Sequence, residues 1–211
     1  MNNYTFQAPM KIIFGQDTLD QITQEIEGSR IFIVMDRFLY ESPLKTRMDT
    51  ILTEQEIRYF TAFQSNPDFD SINQALREIQ AFDATTVIGI GGGKCLDTVK
   101  LAGDQLGKPV VTIATIASTC AAVTKISIMY NADGSFKDIP KLKAAPVHCL
   151  IPTSVIAEAP IQYLWAGIGD TMAKHVECTF SARNDQLDYA SELGRTISAM
   201  CFEPVITHGA S

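Results

Sequence analysis

The protein has 211 residues, of which 46% are hydrophobic and 19% are charged, and its formal net charge at pH 7 is −7. This length allows one domain with a sizeable core, or one domain and part of a second. Because a nucleic-acid-binding surface needs clustered basic residues, the acidic balance argues against a nucleic-acid partner.

The terminus, the apolar runs and the cysteines bear on location. No apolar run reaches the roughly 18 residues of a membrane helix, and residues 1–5 lack the basic and apolar regions of a secretory signal. The five cysteines contain no C-x-x-C pair, which favours free thiols over a disulfide framework or a structural zinc site. We therefore expect a cytoplasmic protein without a membrane partner.

The first part of the chain alternates between short apolar strands and amphipathic helices. In chain order the predictions are strand 11–14, helix 18–27, strand 30–35, helix 43–53, strand 58–63, helix 68–80, strand 85–90, helix 94–106 and strand 109–114. Strands separated by helices of about ten residues indicate a parallel sheet with helices on both faces. The fold class is therefore α/β.

Beyond residue 115 the pattern changes. A turn at 131–135 joins extended segments 125–130 and 136–139, a strand is predicted at 147–151, and helices follow at 161–166, 170–183 and 187–200. The sequence thus predicts an α/β domain over 1–157 and the N-terminal portion of an all-helical domain over 158–211. Because so few helices make a thin core, we expect a fragment of a longer protein, or a chain completed by a partner, as in a homo-oligomer.

A glycine-rich turn, Gly89–Lys94, joins a predicted strand to a predicted helix. Glycines allow close backbone approach, and the free N–H groups and dipole of a helix N-terminus attract anions. Lys94 adds a positive charge, and Asp97 is placed to cap the helix or to bind a ribose hydroxyl. The alternative is a turn that only packs helix on strand. The pattern is neither G-x-G-x-x-G nor a P-loop, so it indicates a phosphate without selecting a nucleotide.

Asp36 follows the predicted strand 30–35. An acidic residue at the end of a strand can accept hydrogen bonds from both ribose hydroxyls and repel a 2′-phosphate. This position favours NAD over NADP. The alternative for Asp36 is a solvated loop carboxylate.

Three segments resemble the iron-containing alcohol dehydrogenase superfamily, and within it the glycerol dehydrogenase-like group. They are Gly91–Lys100 with the pattern GGGK-x-x-D-T-x-K, Thr115–Thr119, and Ala166–Lys174 with the pattern A-G-x-G-D-x-x-A-K. The resemblance implies an N-terminal α/β domain that binds NAD(P) and a C-terminal helical domain that holds zinc or iron. The cofactor-binding positions that it implies are Gly91, Gly92, Gly93, Lys94, Asp97, Thr115, Ser118, Thr124, Ile126 and Tyr130.

Asp170 is the metal ligand that the resemblance implies. A carboxylate at a helix start after Gly-x-Gly can face a cleft, and a hard oxygen ligand suits zinc or iron. The alternative for Asp170 is a helix N-cap. The family's two further histidine ligands lie beyond residue 211, and none of His148, His175 and His208 matches them.

Cys120 departs from the pattern of the glycerol dehydrogenases, which carry an aspartate there that binds the polyol. The segment Thr119–Ala122 is more similar to the hydroxycarboxylate dehydrogenase-like branch, whose substrates are 2-oxo and 2-hydroxy acids. An anionic substrate would be repelled by an aspartate, so a cysteine at this substrate position is consistent on charge grounds. The alternative is a small buried thiol.

The resemblance implies an oxidoreductase that transfers a hydride between NAD(H) and a small alcohol, polyol or 2-hydroxy acid, with a metal as Lewis acid. With one metal ligand out of three, we expect the 211-residue chain itself to be inactive. One alternative is a stand-alone nucleotide-binding module without catalysis. Another is a phosphate-binding enzyme related to the dehydroquinate synthases.

Overall fold

A computed structural model describes residues 11–61, 69–131, 133–183 and 186–209. The last residues of the predicted strand 58–63 and the first residue of the predicted helix 68–80 lie outside these ranges. The contacts divide the chain into two compact units. An α/β unit comprises the described residues up to 116 together with 120–159, and a helical unit comprises 117–119 and the described residues from 160 onward.

Six parallel strands form the sheet of the α/β unit. In chain order the described strands are β1 Lys11–Gly15, β2 Arg30–Met35, β3 Glu56–Phe60, β4 Thr86–Gly91, β5 Val110–Ala114, β6 Met129–Tyr130, β7 Phe136–Asp138 and β8 His148–Pro152. The sheet contains β1 to β5 and β8, and β6 and β7 form a separate short hairpin. The order across the sheet is β1-β8-β5-β4-β2-β3, and β6 pairs with β7 antiparallel. The predicted parallel sheet and the hairpin are confirmed.

The described helices are α1 Ile22–Glu25, α2 Arg37–Tyr40, α3 Pro43–Ile51, α4 Phe69–Phe82, α5 Gly93–Leu106, α6 Thr153–Ala157, α7 Ile161–Ser181 and α8 Tyr189–His208, with 3-10 turns at Thr18–Gln21 and Ala121–Val123. Helices occur in each region where the sequence predicts one, although the predicted helix 18–27 is a 3-10 turn followed by a four-residue helix, and α2 and α6 were not predicted. Pro43 opens α3 because its fixed backbone angle suits a first helical turn. None of the described helices combines the length and apolarity that a membrane span requires.

The sheet carries a hydrophobic core on each face, as the alternation of side chains along a buried strand dictates. In β2, Ile31, Ile33 and Met35 pack on the face that is covered by α1 and α3. Phe32 and Val34 point to the opposite face, where α4 and α5 lie. Helices therefore cover both faces of the sheet, as predicted.

The helical unit corrects one prediction. Residues 161–181 form one continuous helix, α7, rather than two helices separated by Gly167-Ile168-Gly169. A Cβ atom added to Gly167 would lie 1.7 Å from the carbonyl oxygen of Ala117, so the glycine permits a close backbone approach. This packing requirement, and not a helix break, accounts for Gly167.

Candidate functional site

The direction of the strand connections reverses between β2 and β4. The chain passes from β2 to β3 through α3 on one face, and from β4 to β5 through α5 on the other face and in the opposite direction. In open α/β sheets, ligands bind at the carboxyl ends of the strands where this reversal occurs. Asp36, the turn after β4 and Thr115 all lie at this edge of the sheet.

Backbone contacts hold these three segments together. The N–H group of Asp36 donates to the carbonyl oxygen of Ile90 at 3.3 Å, and the N–H group of Thr115 donates to that of Gly91 at 3.3 Å. Thr115 itself is buried. The structure thus brings together three of the segments that the sequence predicts to bind a cofactor.

The glycine turn ends β4 and begins α5. Gly92 is the N-cap of α5 in an extended conformation, and the helix starts at Gly93. The first-turn N–H groups of an α-helix have no partners within the helix. Lys94 is exposed in that first turn. This arrangement of free donors and a nearby positive charge suits a phosphate group.

The glycines also serve packing, which was the alternative interpretation of the turn. A Cβ atom on Gly89 would lie 2.3 Å from Cγ1 of Val99, and one on Gly91 would lie 2.3 Å from Oδ2 of Asp36 and 2.8 Å from Cβ of Cys95. Gly89 and Gly91 therefore allow α5 and Asp36 to approach β4 closely. The packing role of these two glycines does not compete with anion binding, because the N-terminal donors of α5 lie further along the turn.

Asp36 is not a solvated loop residue. Its Oδ2 atom accepts a hydrogen bond from the N–H group of Gly92 at 3.0 Å, and the residue is half-buried. Burial raises the pKa of Asp36, while the hydrogen bond from Gly92 and the charge of Lys94 oppose the rise. The carboxyl group therefore anchors the glycine turn. The predicted contact of Asp36 with a ribose stays a prediction.

Asp97 lies in the second turn of α5 and is not the helix cap, so that alternative was wrong. Its Oδ1 atom lies 2.8 Å from Nζ of Lys100, and the pair is almost fully buried, with side chains 9% and 1% exposed. Its Oδ2 atom accepts a hydrogen bond from the N–H group of Ile128 at 3.1 Å. Both carboxylate oxygens are therefore engaged within the protein. The predicted ribose contact of Asp97 is not tested.

The segment 124–128 carries two of the predicted cofactor-binding residues, Thr124 and Ile126, and Tyr130 follows in β6. Nζ of Lys100 donates to Oγ1 of Thr124 at 3.0 Å and also to the carbonyl oxygen of Ile126. Oγ of Ser127 donates to the carbonyl oxygen of Asp97 at 3.0 Å. Sequence reasoning assigned no role to Lys100 or Ser127. The i,i+3 spacing of Asp97 and Lys100 is compatible with an ion pair, but it does not distinguish a buried pair from an exposed one.

Cys120 is exposed and is the N-cap of the 3-10 turn Ala121–Val123, so the alternative of a small buried thiol was wrong. Oγ1 of Thr112 in β5 donates to the carbonyl oxygen of Ala122 at 2.7 Å and holds this turn on the sheet. All five cysteines are free thiols, as the sequence predicts: Cys95, Cys120, Cys149, Cys178 and Cys201. The predicted substrate contact of Cys120 remains untested.

Ser118 and Asp170 belong to the helical unit. Asp170 lies within α7 rather than at a helix start, so neither a position at the start of a helix nor the N-cap alternative is correct. Its side chain is 51% exposed and lies 3.7 Å from Nζ of Lys174. In the described parts of the chain, no three His, Cys, Asp or Glu side chains come close enough together to hold a metal ion.

The histidines have other neighbours. Nδ1 of His175 lies 3.4 Å from Oγ of Ser198, and its ring centroid lies 5.6 Å from that of Phe202. Nδ1 of His148 lies 3.4 Å from Oε2 of Glu25, and His208 ends α8. The described residues therefore do not by themselves supply a three-ligand zinc or iron site.

Comparison with known proteins defines the class. Residues 9–158 match the profile described as "Iron-containing alcohol dehydrogenase". The chain belongs to this family, as the three sequence segments suggested.

Two curated relatives refine this placement. Glycerol dehydrogenase of Thermotoga maritima is 29% identical over 209 residues, which are 95% of this chain and 56% of that protein. Hydroxycarboxylate dehydrogenase A of Escherichia coli is 45% identical over 100 residues, which are 47% of this chain and 28% of that protein. The chain thus spans little more than half the length of the glycerol dehydrogenase that it matches.

Solved structures share the fold. The crystal structure of a probable glycerol dehydrogenase from Sinorhizobium meliloti superposes with a TM-score of 0.83 at 24% identity, over 97% of this chain and 58% of that chain. Glycerol dehydrogenase from Schizosaccharomyces pombe gives 0.84 at 22% identity, over 99% of this chain and 55% of that chain. At these identities the likeness establishes the fold alone.

Proposed function

We propose that the chain is the NAD(H)-binding part of an oxidoreductase that transfers a hydride to or from a small alcohol, polyol or 2-hydroxy acid. The observation that carries this proposal is the turn Gly91–Lys94 at the reversal point of the sheet, with Asp36 anchored on it. Family membership supports the same reaction class. We assign residues 1–157 to the cofactor-binding domain and 158–211 to the helical domain.

Cofactor binding follows from the chemistry of the turn. The free N–H groups at the start of α5 and the charge of Lys94 bind the pyrophosphate. Asp36 accepts a hydrogen bond from the N–H group of Gly92 through one carboxylate oxygen. Its carboxylate binds a ribose hydroxyl and disfavours the 2′-phosphate of NADP. Thr115, Ser118, Thr124, Ile126 and Tyr130 complete the proposed cofactor contacts, and of these Thr124, Ile126 and Tyr130 lie on the nicotinamide side, as the family resemblance implies. The cofactor supplies or accepts the hydride, and these residues bind and orient it.

Cys120 is the proposed substrate contact. It is exposed at the start of the 3-10 turn, and a neutral thiol does not repel a carboxylate. The likeness to hydroxycarboxylate dehydrogenase A supports a 2-hydroxy acid, and the glycerol dehydrogenases support a polyol. Asp170 remains the proposed ligand for zinc or iron. We further propose a cytoplasmic homo-oligomer, since the free thiols fit a reducing compartment.

The test of cofactor binding is a fluorescence titration of the full chain with NADH. We expect saturable binding that weakens about tenfold in Lys94→Met, because a hydrogen bond to a charged group contributes roughly 1.5–3 kcal/mol. Lys108→Met is the matched control, since Lys108 lies beyond the end of α5. NADPH should bind more weakly than NADH. A wild-type chain that does not bind NADH, or a Lys94→Met variant that binds like the control, would refute the proposal.

The second candidate function is a nucleotide-binding module without catalysis. It is favoured because the described residues assemble no three-ligand metal site. Both candidates predict that this chain binds NADH without turnover, so an NAD(H) turnover assay with added Zn²⁺ or Fe²⁺ and glycerol or 2-hydroxy acids discriminates in one direction. Robust metal-dependent turnover would exclude the module.

A further inference from the structure

The helix α5 has charged residues on two successive turns that face into the protein. Lys100 is 1% exposed, and Nζ contacts Oδ1 of Asp97 at 2.8 Å, Oγ1 of Thr124 at 3.0 Å and the carbonyl oxygen of Ile126. An ammonium group has three N–H donors, and here each has an acceptor. Since burying a lysine is costly without such partners, this arrangement is specific.

Asp97, the acidic partner of Lys100, also accepts hydrogen bonds from the segment 124–128. Asp97 accepts from the N–H group of Ile128 through Oδ2 and from Oγ of Ser127 through its carbonyl oxygen. Together Asp97 and Lys100 form hydrogen bonds with residues 124, 126, 127 and 128, and these bonds fix the backbone path of the segment. Side-chain hydrogen bonds of this kind give an irregular segment one defined conformation.

The helix that holds the segment is the helix that begins at the glycine turn. Gly93 and Lys94 lie in the first turn of α5, and Asp97 and Lys100 lie in the next two turns. One rigid element therefore sets the position of the proposed phosphate-binding turn relative to Thr124 and Ile126, which the proposed function places towards the nicotinamide.

We propose that Asp97 and Lys100 are positioning residues that act on the nicotinamide half of the cofactor through segment 124–128, without touching the cofactor themselves. For Asp97, both of whose carboxylate oxygens are engaged within the protein, this role replaces the ribose contact that the sequence predicts. This inference rests on the proposed NAD(H) binding. The pair keeps the segment in its binding conformation before the cofactor arrives. Because an apparent dissociation constant rises as the competent fraction falls, loosening the segment weakens binding of ligands that reach it.

The test compares two ligands on the full chain. NADH reaches segment 124–128, whereas ADP reaches only the phosphate-binding turn and Asp36. Lys100→Met keeps the aliphatic stem and removes the donors. We expect it to weaken NADH binding about tenfold, for a competent fraction near one tenth, and to leave ADP binding within about twofold of wild type. Lys108→Met is the matched control and should leave both ligands unchanged.

A second variant distinguishes the loss of positioning from a general loss of stability. Lys100→Met alone leaves the buried carboxylate of Asp97 without its counter-charge, which is destabilising. The double variant Asp97→Asn with Lys100→Met removes both charges, and it should show the same loss of NADH binding with intact ADP binding. Hydrogen exchange should quicken at the Ile128 amide in Lys100→Met, while exchange in β4 stays as in wild type.

The outcomes are distinct. If wild type binds NADH and both folded variants bind it equally well, the positioning role is refuted while the proposed function stands. Parallel loss of NADH and ADP in both variants would indicate a general structural role and would also refute it. A wild-type chain that binds neither ligand refutes the proposed function, and this inference with it.

Discussion

The α/β unit and the helical unit bury their apolar residues to very different extents. The sheet has fully buried side chains on both faces, whereas among the described residues of α7 and α8 only Gly167 is buried. Large side chains in these helices are exposed, including Trp165 and Phe180 at 63% and Met200 at 71%. The buried apolar side chains that stabilise the described chain therefore lie mainly in the α/β unit.

The largest expected effect contrasts a buried with an exposed isoleucine. Ile33 in β2 is fully buried, and we expect Ile33→Ala to lower the free energy of unfolding by roughly 2–5 kcal/mol. Ile197 in α8 is 50% exposed, and Ile197→Ala should change it by less than about 0.5 kcal/mol. Urea unfolding followed by circular dichroism measures both. Equal losses would contradict the contrast between the units.

An intermediate effect lies within the helical unit, at its two neighbouring glycines. A Cβ atom on Gly167 would collide with the carbonyl oxygen of Ala117, whereas one on Gly169 meets nothing within 4 Å. Gly167→Ala should destabilise the unit by about 1–3 kcal/mol. Gly169→Ala should stabilise it by up to about 1 kcal/mol, because alanine has the higher helix propensity.

The single tryptophan of the chain, Trp165, lies in α7 and reports on this unit by its fluorescence. Urea unfolding followed at its emission should move to lower urea for Gly167→Ala and to higher urea for Gly169→Ala. Equal shifts for the two variants would show that the close approach to Ala117 does not constrain α7.

The smallest effect concerns pH and Asp36. Burial raises the pKa of Asp36 above its ordinary value of 3.8. At pH values between 3.8 and the raised pKa, the folded protein therefore binds more protons than the unfolded protein. Stability from this group therefore falls as pH rises through that window. Asp36→Asn keeps an oxygen acceptor for Gly92 and removes the charge. We expect the variant to gain stability relative to wild type as pH rises from about 4 to neutral.

Thermal unfolding across this pH range measures the difference. The exposed Asp17 supplies the control, since Asp17→Asn removes a carboxylate without the burial. A stability difference for Asp36→Asn that does not vary with pH would show that burial does not raise the pKa of Asp36.

The sequence predicts the sheet well because most of its strands are short and apolar and are separated by helices, whereas the more polar β3, predicted at 58–63, lies at Glu56–Phe60. It predicts the position of the glycine turn for the same reason. It does not predict that Asp36 holds Gly92, because the two residues are far apart in the chain and only the strand order brings them together. It also predicts a break at Gly167, where the glycine in fact answers a contact with Ala117 that no local pattern reveals.

Asp97 and Lys100 are a second case in which the sequence does not reveal a contact. Charged residues on a helix are usually exposed, so their nearly complete burial could not be read from the sequence. The sequence does not reveal that the hydrogen-bond partners of both residues lie in the segment 124–128.

The pairing of β1 with β8 has a consequence for folding. Lys11 lies beside His148 in the sheet, so the first described strand finds its partner only after almost all of the α/β unit has been synthesised. Contacts between such distant parts of a chain slow folding because a large loop must close first. Until β1 docks, β8 is an open edge able to pair with another chain. Dilution during refolding should therefore favour the monomeric sheet over aggregates, because only the wrong pairing depends on protein concentration.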